Sequence, residues 1–143
     1  MRDHAWLEDQ LQYLLKNHFS DVALTNPLEI RFGREAKFRF GSIRLVKPKG
    51  WLKRVPQKSI ITVTSMFAKE SVPTDVVRYT IAHELCHYAH GFSSANRRLF
   101  KYPHHGGVVN AELTNRGAGH LIHSFKQWLS TYRKKILAGR VRI

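Results

Sequence analysis

The segment IAHELCHYAHG, residues 81–91, is the strongest constraint on how this chain of 143 residues can fold. Its histidines at 83 and 87 are four residues apart, so a helix would place them one turn apart on a single face. Glu84 lies about 100° further round the helix axis. The run YTIAHELC is otherwise largely apolar, and a carboxylate buried there without a partner would be costly. The helix must therefore pack against a core and still keep one side available to polar chemistry.

The residues around this segment predict its boundaries. Pro73 and Thr74 open the helix, with Thr74 as the N-cap and Asp75 at the positive end of the helix dipole. Gly91 is typical of a helix end, because glycine accepts the left-handed conformation found there. The pattern thus predicts a helix over residues 74–90.

The other apolar periodicities predict a helix, then strands, then further helices. Leu7, Leu11 and Leu14 have helical spacing, whereas LEIRF alternates as a strand does. In AKFRFGSIRLV the alternation changes phase at Gly41, which predicts a bulge or tight turn there. The full set is helix 4–19, strands 28–32, 36–46 and 59–67, helix 74–90, a loop at 92–106, a short helix at 107–116 and a final helix after the GAG break at 117–119.

This order of elements predicts one α+β domain over residues 1–143. We expect an N-terminal helix, a small, mostly antiparallel sheet of about three strands, the helix at 74–90, and C-terminal helices. Residues 133–143 are basic and are predicted to form a flexible tail.

His83, Glu84 and His87 form the HExxH pattern of zinc hydrolases. Two imidazoles one turn apart can bind one ion, and zinc is the natural metal for imidazole ligands in hydrolytic sites. Glu84 cannot easily join them as a ligand, but it can reach water at the metal and act as the general base. The pattern therefore predicts Zn²⁺ as the cofactor, two histidine ligands and a catalytic glutamate.

A catalytic zinc site needs a third protein ligand, and four residues are candidates. His90 stands a further turn along the same helix, where three ligands in a row give poor tetrahedral geometry. His104 and His105 lie in the loop YPHHGG, which can fold back over the helix. Glu112 lies on the next short helix and would serve in a glutamate-ligated site.

The segment HELCHYAHG, followed by HHGG one loop later, resembles the SprT-like family of zinc metalloproteases, which includes the Spartan proteases. The resemblance covers about residues 60–130. It implies a small zincin-type fold with zinc-dependent peptide hydrolysis and, for Spartan-type members, cleavage of proteins attached to DNA. Many members also carry a cysteine-rich zinc ribbon, which this chain lacks. DNA contact would therefore depend on the basic surface.

Residue by residue, the resemblance implies a metal site of three histidines. His83 and His87 match the two histidines of the family motif, and Glu84 matches its catalytic glutamate. His105 matches the third ligand, because Gly106 follows it as a glycine does in the family.

The net charge of +14 favours contact with polyanions, nucleic acid first and anionic membrane second. Residues 36–69 and 113–143 contain no Asp or Glu, so cations accumulate in both tracts. Trp51 could stack on an unpaired base or fold back as a lid on the core. The predicted nucleic-acid contacts are Lys47, Lys49, Trp51, Lys53, Arg54, Arg133, Lys134 and Lys135.

Cys86 is the only cysteine, which excludes an internal disulfide, and we expect it to be a small buried packing residue. The N-terminus lacks the apolar region of a signal peptide, and no apolar run approaches the roughly 18 residues of a membrane helix. We expect a monomeric cytoplasmic protein without membrane contact, associated with the nucleoid if it binds DNA.

The leading functional hypothesis is a zinc endopeptidase of SprT-like type that acts on DNA-bound or DNA-crosslinked proteins. We expect the substrate backbone to pair with the strand ahead of the active helix. Tyr102 or a loop histidine would donate a hydrogen bond to the oxyanion. The alternative is a zinc-stabilised nucleic-acid-binding domain with a closed four-ligand site and no hydrolytic activity.

Overall fold

The computed structural model describes residues 1–47, 57–91 and 107–141, with the side chains of 140 and 141 left out. Its order of elements confirms the predicted α+β class within these residues. The elements are α1 (His4–Asn17), β1 (Leu28–Phe32), β2 (Gly41–Val46), β3 (Lys58–Val63), a 3₁₀ helix (Ser65–Ala68), α2 (Thr74–Ala89), α3 (Val108–Asn115) and α4 (Gly119–Val141).

The three strands form a mixed sheet in the order β1-β3-β2. β1 runs parallel to β3, and β2 runs antiparallel to it. The prediction of a mostly antiparallel sheet is therefore wrong for one of the two pairs. The alternation of a strand predicts which residues share a face, but not the direction of its neighbour. Ile61 of β3 lies opposite both Ile30 and Ile43, which aligns their side chains across the sheet.

The position of β3 also corrects the predicted path of the substrate. β3 is the strand ahead of α2, but β1 and β2 cover its two edges. It has no free edge for an added strand, because both sides of its backbone are paired within the sheet. Among the described residues, β2 is an outer strand of the sheet. Its first residue, Gly41, lies close to α2.

The predicted second strand is wrong in its first half, because residues 36–40 are irregular and β2 begins only at Gly41. Two hydrogen bonds of the Thr64 hydroxyl hold this segment. The hydroxyl accepts one from the backbone N–H of Ala36 at 2.8 Å and donates the other to the carbonyl of Ala36 at 3.0 Å. Phe40 stacks on Phe67 with ring centroids 5.3 Å apart. Phe40 therefore packs against the core from irregular backbone, whereas Phe38 is 67% exposed.

Helix α2 is buried on almost all sides and forms the centre of the fold. It packs against all three other helices and against β2 and β3. The core beneath it combines apolar residues from α1, the sheet and α2, including Leu7, Leu11, Leu14, Ile30, Ile61, Val76, Val77, Ile81 and Leu85.

The ends of α2 agree closely with the sequence prediction. Asp75 lies in the first turn, and Gly91 follows the helix with φ of +83°. The predicted N-cap is one residue late, since Pro73 occupies that position and Thr74 is the first helical residue. A helix accepts proline at its start because the first backbone N–H groups need no intrahelical partner.

The last helix is longer than the sequence suggested. α4 continues to Val141, so residues 133–141 of the predicted flexible tail are helical. None of the helices in the described part of the chain is both long and apolar enough to cross a lipid bilayer.

Gly41 permits β2 to approach α2 closely, and we predict that Gly41→Ala destabilises the protein by about 1–3 kcal/mol in urea unfolding. An added Cβ would lie 2.6 Å from the γ-methyl of Thr80, and the Thr80 hydroxyl bonds to the Val76 carbonyl at 3.1 Å. Thr80→Ser removes that methyl and keeps the hydroxyl, so the double variant should recover most of the loss. Purely additive losses in the two single variants would contradict the close approach.

Candidate metal and catalytic site

His83 and His87 lie one turn apart on α2 with their ring centroids 4.8 Å apart and their planes at 78°. Two imidazoles that bind one tetrahedral zinc through nitrogens about 2.0–2.1 Å away have centroids about 5 Å apart. The observed spacing fits that arrangement. His87 is 6% exposed, whereas His83 is partly exposed and faces two cavities.

Glu84 is buried beside the histidines, with 7% of its surface exposed. Burial raises the pKa of its carboxyl to about 7, and the positive charge of Arg39 opposes that increase in part. A carboxyl with a pKa near neutrality can both accept and release a proton at physiological pH. This is the property that a general base in a hydrolytic site needs.

A cavity of about 260 Å³ opens directly beside Glu84 and His83. Described residues of three elements line it: the segment 38–41 that leads into β2, the face of α2 that carries Thr80, His83 and Glu84, and α4. Its aromatic lining consists of Phe38, Phe40, Tyr79 and Phe125. No sequence signal marks these four residues as neighbours of Glu84, except that Tyr79 lies four residues before His83 and therefore shares its helix face.

A second, smaller cavity of about 150 Å³ lies on the other side of His83. Tyr79, Gly107 and the first residues of α3 line it with His83. The Tyr79 hydroxyl donates to Asn110 Oδ1 at 2.8 Å, and its ring stacks on Phe125 at 4.3 Å. These contacts fix the wall beside the first predicted ligand.

His90 and Glu112, two of the candidate third ligands, lie together at the junction of α2 and α3. They form a hydrogen bond between His90 Nε2 and Glu112 Oε1, and His90 is 1% exposed. The second oxygen of Glu112 accepts from Arg116 Nε at 3.2 Å, and Arg116 also donates to Asp21 Oδ1 at 2.6 Å. Both oxygens of Glu112 are thus engaged within this network.

The two loop candidates, His104 and His105, lie outside the described residues, as does Tyr102. Within residues 1–47, 57–91 and 107–141, no group of three or more His, Cys, Asp and Glu side chains is arranged to hold a metal ion. Of the three predicted zinc ligands, the described residues include His83 and His87, which lie side by side on α2.

Cys86 lies between the histidines in sequence and is a packing residue, as predicted. It is fully buried. This burial is the main reason why the pKa of its thiol lies far above the usual range, and the nearby Glu112 carboxylate raises the pKa further. A protonated thiol is a poor metal ligand and a poor nucleophile.

Four of the predicted nucleic-acid contacts are exposed on the described surface. Lys47 follows β2, and Arg133, Lys134 and Lys135 lie on α4. The other four, Lys49, Trp51, Lys53 and Arg54, lie outside the described residues.

Comparisons of this chain with models of protein families, with curated proteins and with solved structures found no match.

We predict that the metal-free protein loses stability as pH rises from about 4.5 to about 7, and that Glu84→Gln abolishes this loss. Over that range the unfolded carboxyl releases its proton while the folded one keeps it, so unfolding becomes more favourable with pH. The free energy of unfolding should decrease by about 3 kcal/mol over this range. Urea unfolding with a chelator present, at pH 5 and pH 8, measures it. Glu29→Gln, an exposed carboxylate on β1, should behave as the wild type does.

We also predict that Glu112→Gln destabilises the protein by about 1–3 kcal/mol at pH 7, because the buried His90 loses its charged partner. Burial opposes ionisation of Glu112, but hydrogen bonds from His90 and Arg116 outweigh it and lower the pKa of the carboxyl. The ionised Glu112 carboxylate therefore stabilises the folded protein fully above about pH 4.5, and this stabilisation is lost as the pH falls through the lowered pKa.

The matched control for this variant is Glu8→Gln, which breaks an exposed glutamate–histidine pair on α1 and should cost little. Equal losses in the two variants, measured by urea unfolding at pH 7, would contradict the structural role of the Glu112 network.

Proposed function

We propose that this protein is a zinc-dependent endopeptidase of SprT-like type. The observation that supports it best is the buried carboxyl of Glu84, whose pKa is raised to about 7 beside two imidazoles with zinc-like spacing. Buried carboxyls with raised pKa are concentrated at functional sites, and this one opens into a cavity. Burying an ionisable group costs folding free energy, and a helix with a purely structural role would not need such a group at this position.

His83, His87 and His105 would hold the zinc ion. His83 lines the smaller cavity together with Gly107, and Gly107 follows His105 by two residues. Two residues span at most about 7 Å of extended chain, so a connection of this length would allow His105 to reach the predicted ligands. The proposal therefore retains His105 as the third ligand.

When bound, zinc would polarise the scissile carbonyl and favour ionisation of the attacking water. Glu84 would accept the proton of that water and deliver it to the nitrogen of the leaving amine. The low exposure of Glu84 strengthens its electrostatic interactions with the reacting groups. Arg39 lines the same cavity and keeps a positive charge near the carboxylate once it is ionised.

The substrate backbone would align along β2. Its first residue, Gly41, lines the cavity beside Glu84, and β2 is the outer strand in the described sheet order. Pairing of an extended peptide with an outer strand supplies backbone hydrogen bonds that do not depend on sequence. In this proposal β2, and not β3 ahead of α2, pairs with the substrate backbone.

The basic surface would bring the enzyme to proteins bound or crosslinked to DNA in the cytoplasm. The net charge of +14 and the exposed cations Arg133, Lys134 and Lys135 of α4 support this part of the proposal. Such contacts would be independent of sequence and sensitive to salt.

The test compares cleavage of an unfolded DNA-binding protein by zinc-loaded wild type and Glu84→Gln, each with and without single-stranded DNA. Loss of the general base should reduce the rate by about 10²- to 10⁴-fold, and a chelator should abolish cleavage. Glu29→Gln is the matched control and should retain full activity. DNA should accelerate cleavage of a DNA-bound substrate, and added salt should remove that gain.

Equal rates in wild type and Glu84→Gln would exclude Glu84 from the mechanism. The alternative function, a zinc-stabilised nucleic-acid-binding domain, makes a different prediction. It requires an inactive wild type that unfolds when the metal is removed.

A further inference from the structure

We propose that the cavity beside Glu84 and a groove beyond Phe38 are consecutive pockets for two large apolar side chains of one extended polypeptide. This inference rests on the proposed peptidase function and names the substrate class of its site. The first pocket selects the residue next to the scissile bond, and the second selects a residue further along the same chain.

The first pocket has the size and lining for one aromatic or large aliphatic side chain. Its volume of about 260 Å³ lies below the range of roughly 300–1,000 Å³ typical of small-molecule sites. Among the described residues that line it are four aromatic rings, which would contact an apolar side chain placed between them.

The walls of this pocket are held in place before any ligand binds. Phe40 stacks on Phe67 at 5.3 Å and meets Trp128 edge to face at 5.4 Å. Tyr79 stacks on Phe125 at 4.3 Å on the opposite side. Because these rings are packed against the core, little ordering is needed on binding, and the pocket discriminates by shape.

The second pocket is a groove of about 170 Å³ between Phe38 and the C-terminal half of α4. Tyr132, Ile136 and Leu137 line it together with Arg133. Phe38 and Leu137 are 67% and 59% exposed, and both line this one groove. An exposed apolar surface of this kind favours an interaction site.

Phe38 connects the two pockets, because it lines both. The Tyr132 hydroxyl donates to the Lys37 carbonyl at 2.8 Å and thereby ties the segment before β2 to α4. The separation of the pockets is thus fixed by the fold. One extended chain that leaves the cavity at Glu84 would pass over Phe38 into the groove.

The lining favours a polypeptide over a nucleic acid. Among the described lining residues, each pocket has a single arginine, Arg39 or Arg133, and the first also contains the carboxyl of Glu84, which repels phosphate when it is ionised. A nucleic-acid path needs a series of cations along the backbone. The α4 cations Lys134 and Lys135 line neither pocket.

The test measures binding of fluorescein-labelled ten-residue peptides to Glu84→Gln by fluorescence anisotropy, so that it does not depend on cleavage. The peptides are an Ala/Ser background, the same peptide with one Phe, and a set with two Phe separated by one to four residues. We expect one Phe to tighten binding by about tenfold over the background, and one two-Phe spacing to tighten it by about tenfold more.

Three further substitutions assign the two gains to the two pockets. Phe38→Ala should remove most of both gains, and Leu137→Ala should remove only the gain from the second Phe. Leu24→Ala is the matched control, since Leu24 is 55% exposed and lines neither pocket. Because Leu137 and Leu24 are exposed, their truncation should leave the thermal midpoint nearly unchanged.

Equal binding of all peptides would overturn the inference, as would equal effects of Phe38→Ala and Leu24→Ala. Oligothymidylate that displaces the two-Phe peptide and depends on Phe38 would assign the groove to nucleic acid and overturn it as well. Selective peptide binding together with an inactive wild type would support the pockets and contradict only the peptidase proposal.

Discussion

The burial of the Glu84 carboxyl in helix α2 is the constraint on which the rest of the structure depends. Eleven of the sixteen residues of α2 are buried, so the helix cannot rotate to expose the carboxyl to bulk water. The carboxyl is instead kept at the edge of the core, where its pKa is about 7 and a cavity gives it access to a ligand. Helix α2 thus holds an ionisable group at the wall of this cavity.

The cavity lies between two contacts of α2, one with β2 and the other with α4. β2 approaches α2 closely at Gly41, where the helix presents the side chain of Thr80. On the other side, the rings of Tyr79 and Phe125 hold α4 against α2. The space between these contacts lies over Glu84. The same packing that stabilises the domain therefore shapes the proposed substrate pocket.

The sequence could predict α2 because its signals are local: the histidine spacing, Asp75 in the first turn and the terminal Gly91. It could not predict that β1 and β3 are parallel, since the alternation of a strand is the same in either direction. Phe38 and Phe40 were assigned to a strand because their alternation matches one. Only tertiary packing distinguishes a ring that enters the core from one that faces solvent. The pairing of His90 with Glu112 also joins residues far apart in sequence.

The proposed activity depends on how the zinc ion would be held, and X-ray absorption at the zinc edge tests this most directly. The zinc-loaded protein should contain three histidine nitrogens and one ligand from solvent. His105→Ala should lose one of those nitrogens, whereas the neighbouring control His104→Ala should keep all three. A site with four protein ligands, or a spectrum unchanged by His105→Ala, would contradict the proposed peptidase site.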